Sequence, residues 1–255
     1  MSNIIALVRE PSPSFVNALS EHPKKESIQF ARALDQHRQY VLALHQLGVD
    51  VMLLDPLEDF PDSVFLEDTA VVTNEVAFLC SFKEESRRGE ITVLLPELEK
   101  FRKVEVLKPP IFVDGGDVLQ TEDTVFMGLS RRTNREAVDF FRSRLDRKVV
   151  PVPVTQSLHL KSAATYLGKK IIVADELKVD TSAFSGFEII QTGPNEQYGA
   201  NSLAVGDRVI LPAGFPKLSQ ILRDRGFEVF QVGMSEFEKA DGGVTCLSVI
   251  IARSF

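Results

Sequence analysis

A polar turn flanked by two short apolar runs recurs along this chain, and that recurrence constrains its fold more than any other feature of the sequence. The copies are Thr69–Phe78 with the turn Thr73-Asn74-Glu75, Asp117–Phe126 with the turn Thr121-Glu122-Asp123, Ala164–Val173 around Gly168, and Ser202–Leu211 around Gly206-Asp207. Apolar runs on either side of a polar turn are the pattern of a β-hairpin. A fifth copy, Cys246–Ala252, breaks off before its second half. Aligning the turns puts Thr69, Asp117, Ala164, Ser202 and Cys246 in one column, at offsets of 48, 47, 38 and 44 residues. A period of this size marks a radial or solenoid array, because one such unit cannot bury its own apolar face.

The segments after the hairpins complete the unit. Phe30, Leu34, Val41, Leu44 and Leu47 fall on one helical face, Gly48 stops the helix, and Val51–Leu54 reads as a strand. Asn134 is placed to cap a helix carrying Val138, Phe141 and Leu145, ahead of a strand at Val149–Val154. Leu218, Ile221 and Leu222 share a helix that ends at Gly226, before the strand Phe227–Val232. The unit is therefore strand, strand, helix, strand, and about five copies fill residues 1–255 as a single domain of the α/β class. The truncated fifth copy leaves an open edge, so the N-terminal strand Ile4–Val8 is expected to pair near it and close a ring, as propellers do. Such a ring gathers the residues that open each unit around one axis.

Composition narrows the function classes. A net charge of −7 and a sequence pI of about 5.3 are the wrong sign for a nucleic-acid or anionic-membrane partner, both of which attract clustered Lys and Arg. The run Ile4–Val8 is too short for a signal peptide or a membrane span. Only Cys80 and Cys246 occur, in no Cys-x-x-Cys pair, so neither a disulfide framework nor a zinc site is expected. These limits fit a cytoplasmic globular protein.

The segments that open the units are unusually polar. They read Phe60-Pro61-Asp62-Ser63-Val64-Phe65-Leu66-Glu67-Asp68, Val113-Asp114-Gly115-Gly116-Asp117, Leu158-His159-Leu160-Lys161-Ser162 and Asp241-Gly242-Gly243-Val244-Thr245-Cys246. Ring closure would bring one Cys, one His and five acidic residues (Asp62, Glu67, Asp68, Asp114 and Asp117) together. Joined by E-S-R-R-G-E at 85–90 and S-R-R-T-N at 130–134, these segments resemble the dimethylarginine dimethylaminohydrolase family, in order from about Asp62 to Val249. That family belongs to the guanidine-modifying penteins, with the arginine deiminases and amidinotransferases. The resemblance implies a pentein five-bladed αβ propeller, in agreement with the repeat.

It also implies a set of roles. Cys246 matches the nucleophile, His159 the general acid and base, and Asp114 the carboxylate that orients the imidazole. Asp62, Glu67 and Asp68 match residues that hold the cationic end of the substrate, Arg87 and Arg132 its carboxylate clamps, and Leu19 a position on a lid. The chemistry is coherent: a thiolate attacks the guanidinium carbon, the amine leaves once protonated, and carboxylates meet the planar forked donors of a guanidinium. The resemblance thus implies a monomer or homodimer that takes a small guanidino amino acid as substrate and needs no metal or organic cofactor, zinc being a liability of such a Cys-His-carboxylate site. Residue by residue, plainer readings stand beside these. Cys246 would otherwise be an inert buried thiol, Asp114 a turn residue before two glycines, and Asp62, Glu67 and Asp68 an acidic loop. Arg88 and Arg131 read as solvated charges, and His37 and His45 as surface or packing residues. An arginine deiminase or amidinotransferase relative, or a catalytically inactive guanidino-ligand binder, remain the rival functions.

Overall fold

The polar turns lock their hairpins with side chains as well as backbone. Thr73 Oγ1 accepts the N–H of Val76 at 3.1 Å and donates to its carbonyl at 2.8 Å, and Thr121 brackets Thr124 in the same way at 3.0 and 2.9 Å. The structure, a computed structural model, describes residues 3–252. Its elements are β1 (Ile4–Arg9), α1 (Phe30–Gln46), β2 (Asp50–Leu54), β3 (Ala70–Val72), β4 (Val76–Leu79), α2 (Glu90–Glu99) and β5 (Lys103–Val106). After them come β6 (Val118–Gln120), β7 (Thr124–Leu129), α3 (Arg135–Arg144), β8 (Lys148–Pro153), β9 (Ala164–Tyr166), β10 (Ile171–Ala174) and β11 (Glu188–Gln191). The chain ends through β12 (Leu203–Val205), β13 (Arg208–Pro212), α4 (Pro216–Asp224), β14 (Glu228–Val232), α5 (Ser235–Glu238) and β15 (Ser248–Ala252).

These strands form five three-stranded sheets: β15-β1-β2, β3-β4-β5, β6-β7-β8, β9-β10-β11 and β12-β13-β14. In each, the first two strands are antiparallel and the third lies parallel to the second. The ring closes where expected. β15 pairs with β1, Ile4 facing Ala252 and Val8 facing Ser248, so the N-terminal strand completes the unit begun at the other end of the chain. Middle strands carry the core: β10 is buried throughout, whereas the outer β5 is exposed or half-exposed along its length.

Two expectations need correction. The helix is missing from the unit of β9, β10 and β11, where β10 and β11 are joined through a 3₁₀ turn at Thr181–Phe184. The 38-residue offset of this copy is the shortest and leaves little chain for a helix. Phe184 and Phe187 stand in for one, packing edge-on against Phe126 at 5.0 and 5.6 Å. The buried stripe of α1 also runs through Ala33, His37, Tyr40 and Leu44, leaving Leu34 and Val41 half-buried. His37 is therefore a core residue; burial drives its imidazole down to about 4, so it packs as a neutral ring.

A 3₁₀ turn precedes the first strand of every unit: Leu66–Thr69, Gly115–Asp117, Leu160–Ser162, Gln197–Ala200 and Thr245–Leu247. Neighbouring turns touch around the axis, and Asn201 joins the fourth to the fifth by accepting the Thr245 N–H at 2.8 Å. Among the described residues no helix is long and apolar enough to cross a membrane.

Candidate active site

The ring of turns brings His159 between two carboxylates. Its Nε2 lies 3.0 Å from Asp114 Oδ2, and its Nδ1 lies 3.7 Å from Asp68 Oδ1. Gly116 makes this approach possible, since a Cβ there would sit 2.8 Å from the Nδ1 atom. Burial alone would lower the imidazole's affinity for a proton. The charges of Asp68, Asp114 and Asp117 outweigh it and lift His159 to about 9. Asp117, also buried, is pushed up to about 6 by desolvation, and it accepts from Ser130, Thr133 and the N–H of Leu160. It thereby ties the turn carrying His159 to the one carrying Asp114.

Cys246 lies in the last turn, 6% exposed, with its Sγ accepting the Gly243 N–H at 3.3 Å. Burial pushes its thiol up, and the negative charges of Glu67 and Asp68 push the same way, against the Gly243 N–H and the Lys161 cation. The free thiol is thus held protonated at neutral pH. Cys80, the other cysteine, is buried at 1% and lies outside the cavity lining.

A small cavity of about 20 Å³ opens between these groups. Seven of the nine expected residues line it: Leu19, Asp62, Asp68, Arg87, Arg132, His159 and Cys246. Asp114 and Glu67 stand behind the wall. Glu67 spends its two oxygens on Lys161 Nζ at 2.6 Å and Thr245 Oγ1 at 2.7 Å. Desolvation raises its carboxyl and the Lys161 charge opposes the rise.

The two arginines differ. Arg87 uses four of its five donors: Nε and Nη2 grip Glu90 at 3.0 and 2.9 Å, Nη1 donates to Asp68 at 2.7 Å, and Nη2 reaches Phe65 O at 3.3 Å. Arg132 Nη1 is buried without a hydrogen-bond partner among the described residues, its nearest carboxylate being Glu84 at 3.9 Å. A ligand carboxylate would meet a bare donor at Arg132 and a largely committed one at Arg87.

Leu19 sits on a strap across the cavity. Its N–H is shared by both oxygens of Asp62 at 3.1 and 3.2 Å, while Asp241 accepts from Ser20 Oγ and the Glu21 N–H, each at 2.8 Å. Arg131, read as a solvated charge, holds the same strap through a two-pronged pair with Glu21 at 3.0 and 3.2 Å. Lys161, Asn201, Glu90 and Asp241 are the neighbours that sequence reasoning left out. Only Glu90 carried a signal, its spacing of three from Arg87. Asp68, Asp114 and His159 bring one ligand atom each within 4.8 Å of one another, a spacing a metal ion could use. A proton on His159 serves the same two carboxylates.

The family described as N,N dimethylarginine dimethylhydrolase, eukaryotic, matches residues 7–252. The chain is 36% identical over 249 residues to the N(G),N(G)-dimethylarginine dimethylaminohydrolase of Pseudomonas aeruginosa, covering 95% of this chain and 97% of that one. A solved structure of the Pseudomonas aeruginosa enzyme, a Cys-to-Ser mutant complexed with citrulline, superposes with a TM-score of 0.92 at 33% identity, over 97% of this chain and 98% of that one. A dimethylarginine dimethylaminohydrolase adduct with S-methyl-L-thiocitrulline, a His-to-Gly variant, gives 0.93 at 34% identity, over 97% and 99%.

Proposed function

The chain belongs to the dimethylarginine dimethylaminohydrolase family, and on that premise we propose that it hydrolyses Nω-methylated arginines, both dimethylarginine and monomethylarginine, to citrulline and dimethylamine or methylamine. The guanidinium enters the acidic cavity beside Sγ. Its charge offsets those of Glu67 and Asp68, and the Cys246 proton, which burial alone would keep in place, leaves to solvent as the substrate binds. The thiolate adds to the guanidinium carbon. The methylated amine departs with a proton from His159, leaving a covalent S-alkylthiouronium on Cys246. Water then gives one proton to the neutral imidazole and adds to the same carbon; as the carbon–sulfur bond breaks, the added hydroxyl loses its remaining proton to solvent, and citrulline leaves the restored thiolate. An imidazole lifted to about 9 is protonated at neutral pH, the state the first step needs.

One observation carries this reading: His159 lies between Asp114 and Asp68 on the wall of the cavity that Cys246 also lines. Both cysteines are free, which suits the reducing cytoplasm we propose as its setting. Mass spectrometry of the products tests the reading. Citrulline with dimethylamine from dimethylarginine is expected. Ammonia released from unmethylated arginine in preference would make the protein a deiminase, and unchanged substrate with no Cys246 adduct would make it a binder.

A further inference from the structure

Asn201, Thr245 and Lys161 have no part in the chemistry above, yet they close a circuit behind the proposed nucleophile. Asn201 Nδ2 donates to Lys161 O at 3.0 Å and to Thr245 Oγ1 at 3.2 Å, and its Oδ1 accepts the Thr245 N–H. Thr245 Oγ1 donates a hydrogen bond to Glu67, whose other oxygen accepts from Lys161 Nζ. Asn201 is 2% exposed, and its side-chain amide is fully used. With both Nδ2 hydrogens given elsewhere, the 4.0 Å approach of Nδ2 to Cys246 Sγ is a dipolar contact. Gly243, which gives its N–H to that sulfur, leaves Asn201 its place: a Cβ there would lie 2.4 Å from Asn201 Cγ.

The circuit spans separate units of the ring. Lys161 lies two residues past His159 and Thr245 immediately before Cys246, so Asn201 bridges the arm bearing the acid to the arm bearing the sulfur. We propose that Asn201 is a positioning residue of this site, fixing Cys246 Sγ relative to His159 and, through Thr245 and Glu67, relative to the guanidinium. The proposal rests on the reading of Cys246 as nucleophile. Its physical basis is that a misplacement of about 1 Å between reacting groups costs on the order of a hundredfold in rate.

N201D is the informative variant. It keeps the shape and the acceptor for the Thr245 N–H, removes the donors to Lys161 O and Thr245 Oγ1, and sets a negative charge near the thiol. T245V deletes the hydroxyl that links Asn201 to Glu67, and T245S keeps it. N201D and T245V are expected to lower kcat at least about tenfold with KM within about threefold, while T245S stays within about threefold of wild type in both. In a C80S background, the pH midpoint for alkylation of Cys246 by iodoacetamide should move in T245V, which adds no charge, and keep its wild-type value in T245S, a split that a purely structural role would not cause. Alkylation needs no turnover. A wild-type protein that hydrolyses nothing would overturn the proposed function, yet a shifted midpoint would still support the positioning. A folded N201D with wild-type kcat overturns it, as does a T245V midpoint at the wild-type value. Should N201D fail to fold, the threonine pair decides, and equal kcat in T245V and T245S overturns it.

Discussion

Cys246, His159 and the two arginines each carry a distinct burden, and substitutions separate them. C246S should abolish turnover while methylarginine binding stays measurable by calorimetry, because a hydroxyl of nearly the same size is a far weaker nucleophile. C80S should leave kcat and KM near wild type, and a tenth of normal activity in C246S would remove Cys246 from the mechanism. His159 ties stability to pH. Folded, it titrates at about 9 against an ordinary 6.5, so the native state binds its proton more tightly. The resulting stabilisation, on the order of 3 kcal/mol, is complete below about pH 6.5 and is lost as pH rises toward 9. Melting temperature should therefore fall across that window in wild type and stay flatter in H159N; parallel curves would contradict the assignment. R132A should raise KM for methylarginine at least about tenfold and narrow its advantage over methylagmatine, which lacks the carboxylate. R87A should act on folding instead, costing about 3–5 kcal/mol by leaving Asp68 and Glu90 buried without their cation; a stable R87A with only a raised KM would reverse the two roles. The polar segments that open the units were legible in the sequence, but only the family resemblance picked out Cys246, His159 and Asp114 within them, since a buried thiol and a carboxylate before two glycines have plain structural uses. Asn201 and Lys161 were not, since one amide in a turn and one lysine after a histidine look like solvated polarity until the ring folds.

Hairpins were the most legible elements, because a polar turn between apolar runs leaves few other outcomes. The helix α2 and strand β5 were less legible for physical reasons: Pro96 inside α2 argues against a helix although Ile91, Leu94, Leu95 and Leu98 keep helical spacing, and β5 is only four residues long on an exposed edge. The strap from Ala18 to His22 is an element of another kind, held by contacts that no periodicity announces. A cavity of about 20 Å³ has room for little more than one water, so on the proposed function the site widens to admit a methylated arginine, and the strap is the wall expected to move. Its ties differ in strength. The Glu21–Arg131 pair is open to solvent on both sides, where ion pairs are screened, so R131A should leave KM within about threefold. Asp241 accepts two donors from the strap. D241N, which replaces the charged acceptor at a left-handed position that asparagine tolerates, should raise KM more than R131A and leave kcat within about twofold. Steady-state kinetics of the two variants give the ranking, and a larger effect from R131A would move the hinge of the strap to the outer pair.

At the scale of the molecule, the site exists only because five sheets close on themselves. Cys246 approaches the axis ahead of β15, in the unit that straddles the two ends of the chain, His159 ahead of β9, Asp114 ahead of β6, and Glu67 and Asp68 ahead of β3. No single unit holds both the sulfur and the acid. The break in the covalent chain falls inside a sheet, between β15 and β1, and hydrogen bonding from Ile4–Ala252 to Val8–Ser248 spans it. If the ring and not the order of synthesis makes the site, the break can be moved. A permutant that joins the ends through a short Gly/Ser linker and reopens the chain between Ser185 and Gly186 keeps every pairing in all five sheets. That position is exposed, and Gly186 has no neighbour within 4 Å of a Cβ. Its kcat should stay within about fivefold of wild type, and its melting temperature within about 10 °C, the equivalent of a few kcal/mol for a chain of this size. Deleting residues 1–9 tests the converse. It strips β1 from between β15 and β2, exposing Leu7 and Val8 contacts that are fully buried and freeing the strand that follows Cys246. Loss of cooperative melting and of turnover is expected. An active deletion variant, or a permutant that folds without turnover, would show that the nucleophile's place depends on something other than ring closure.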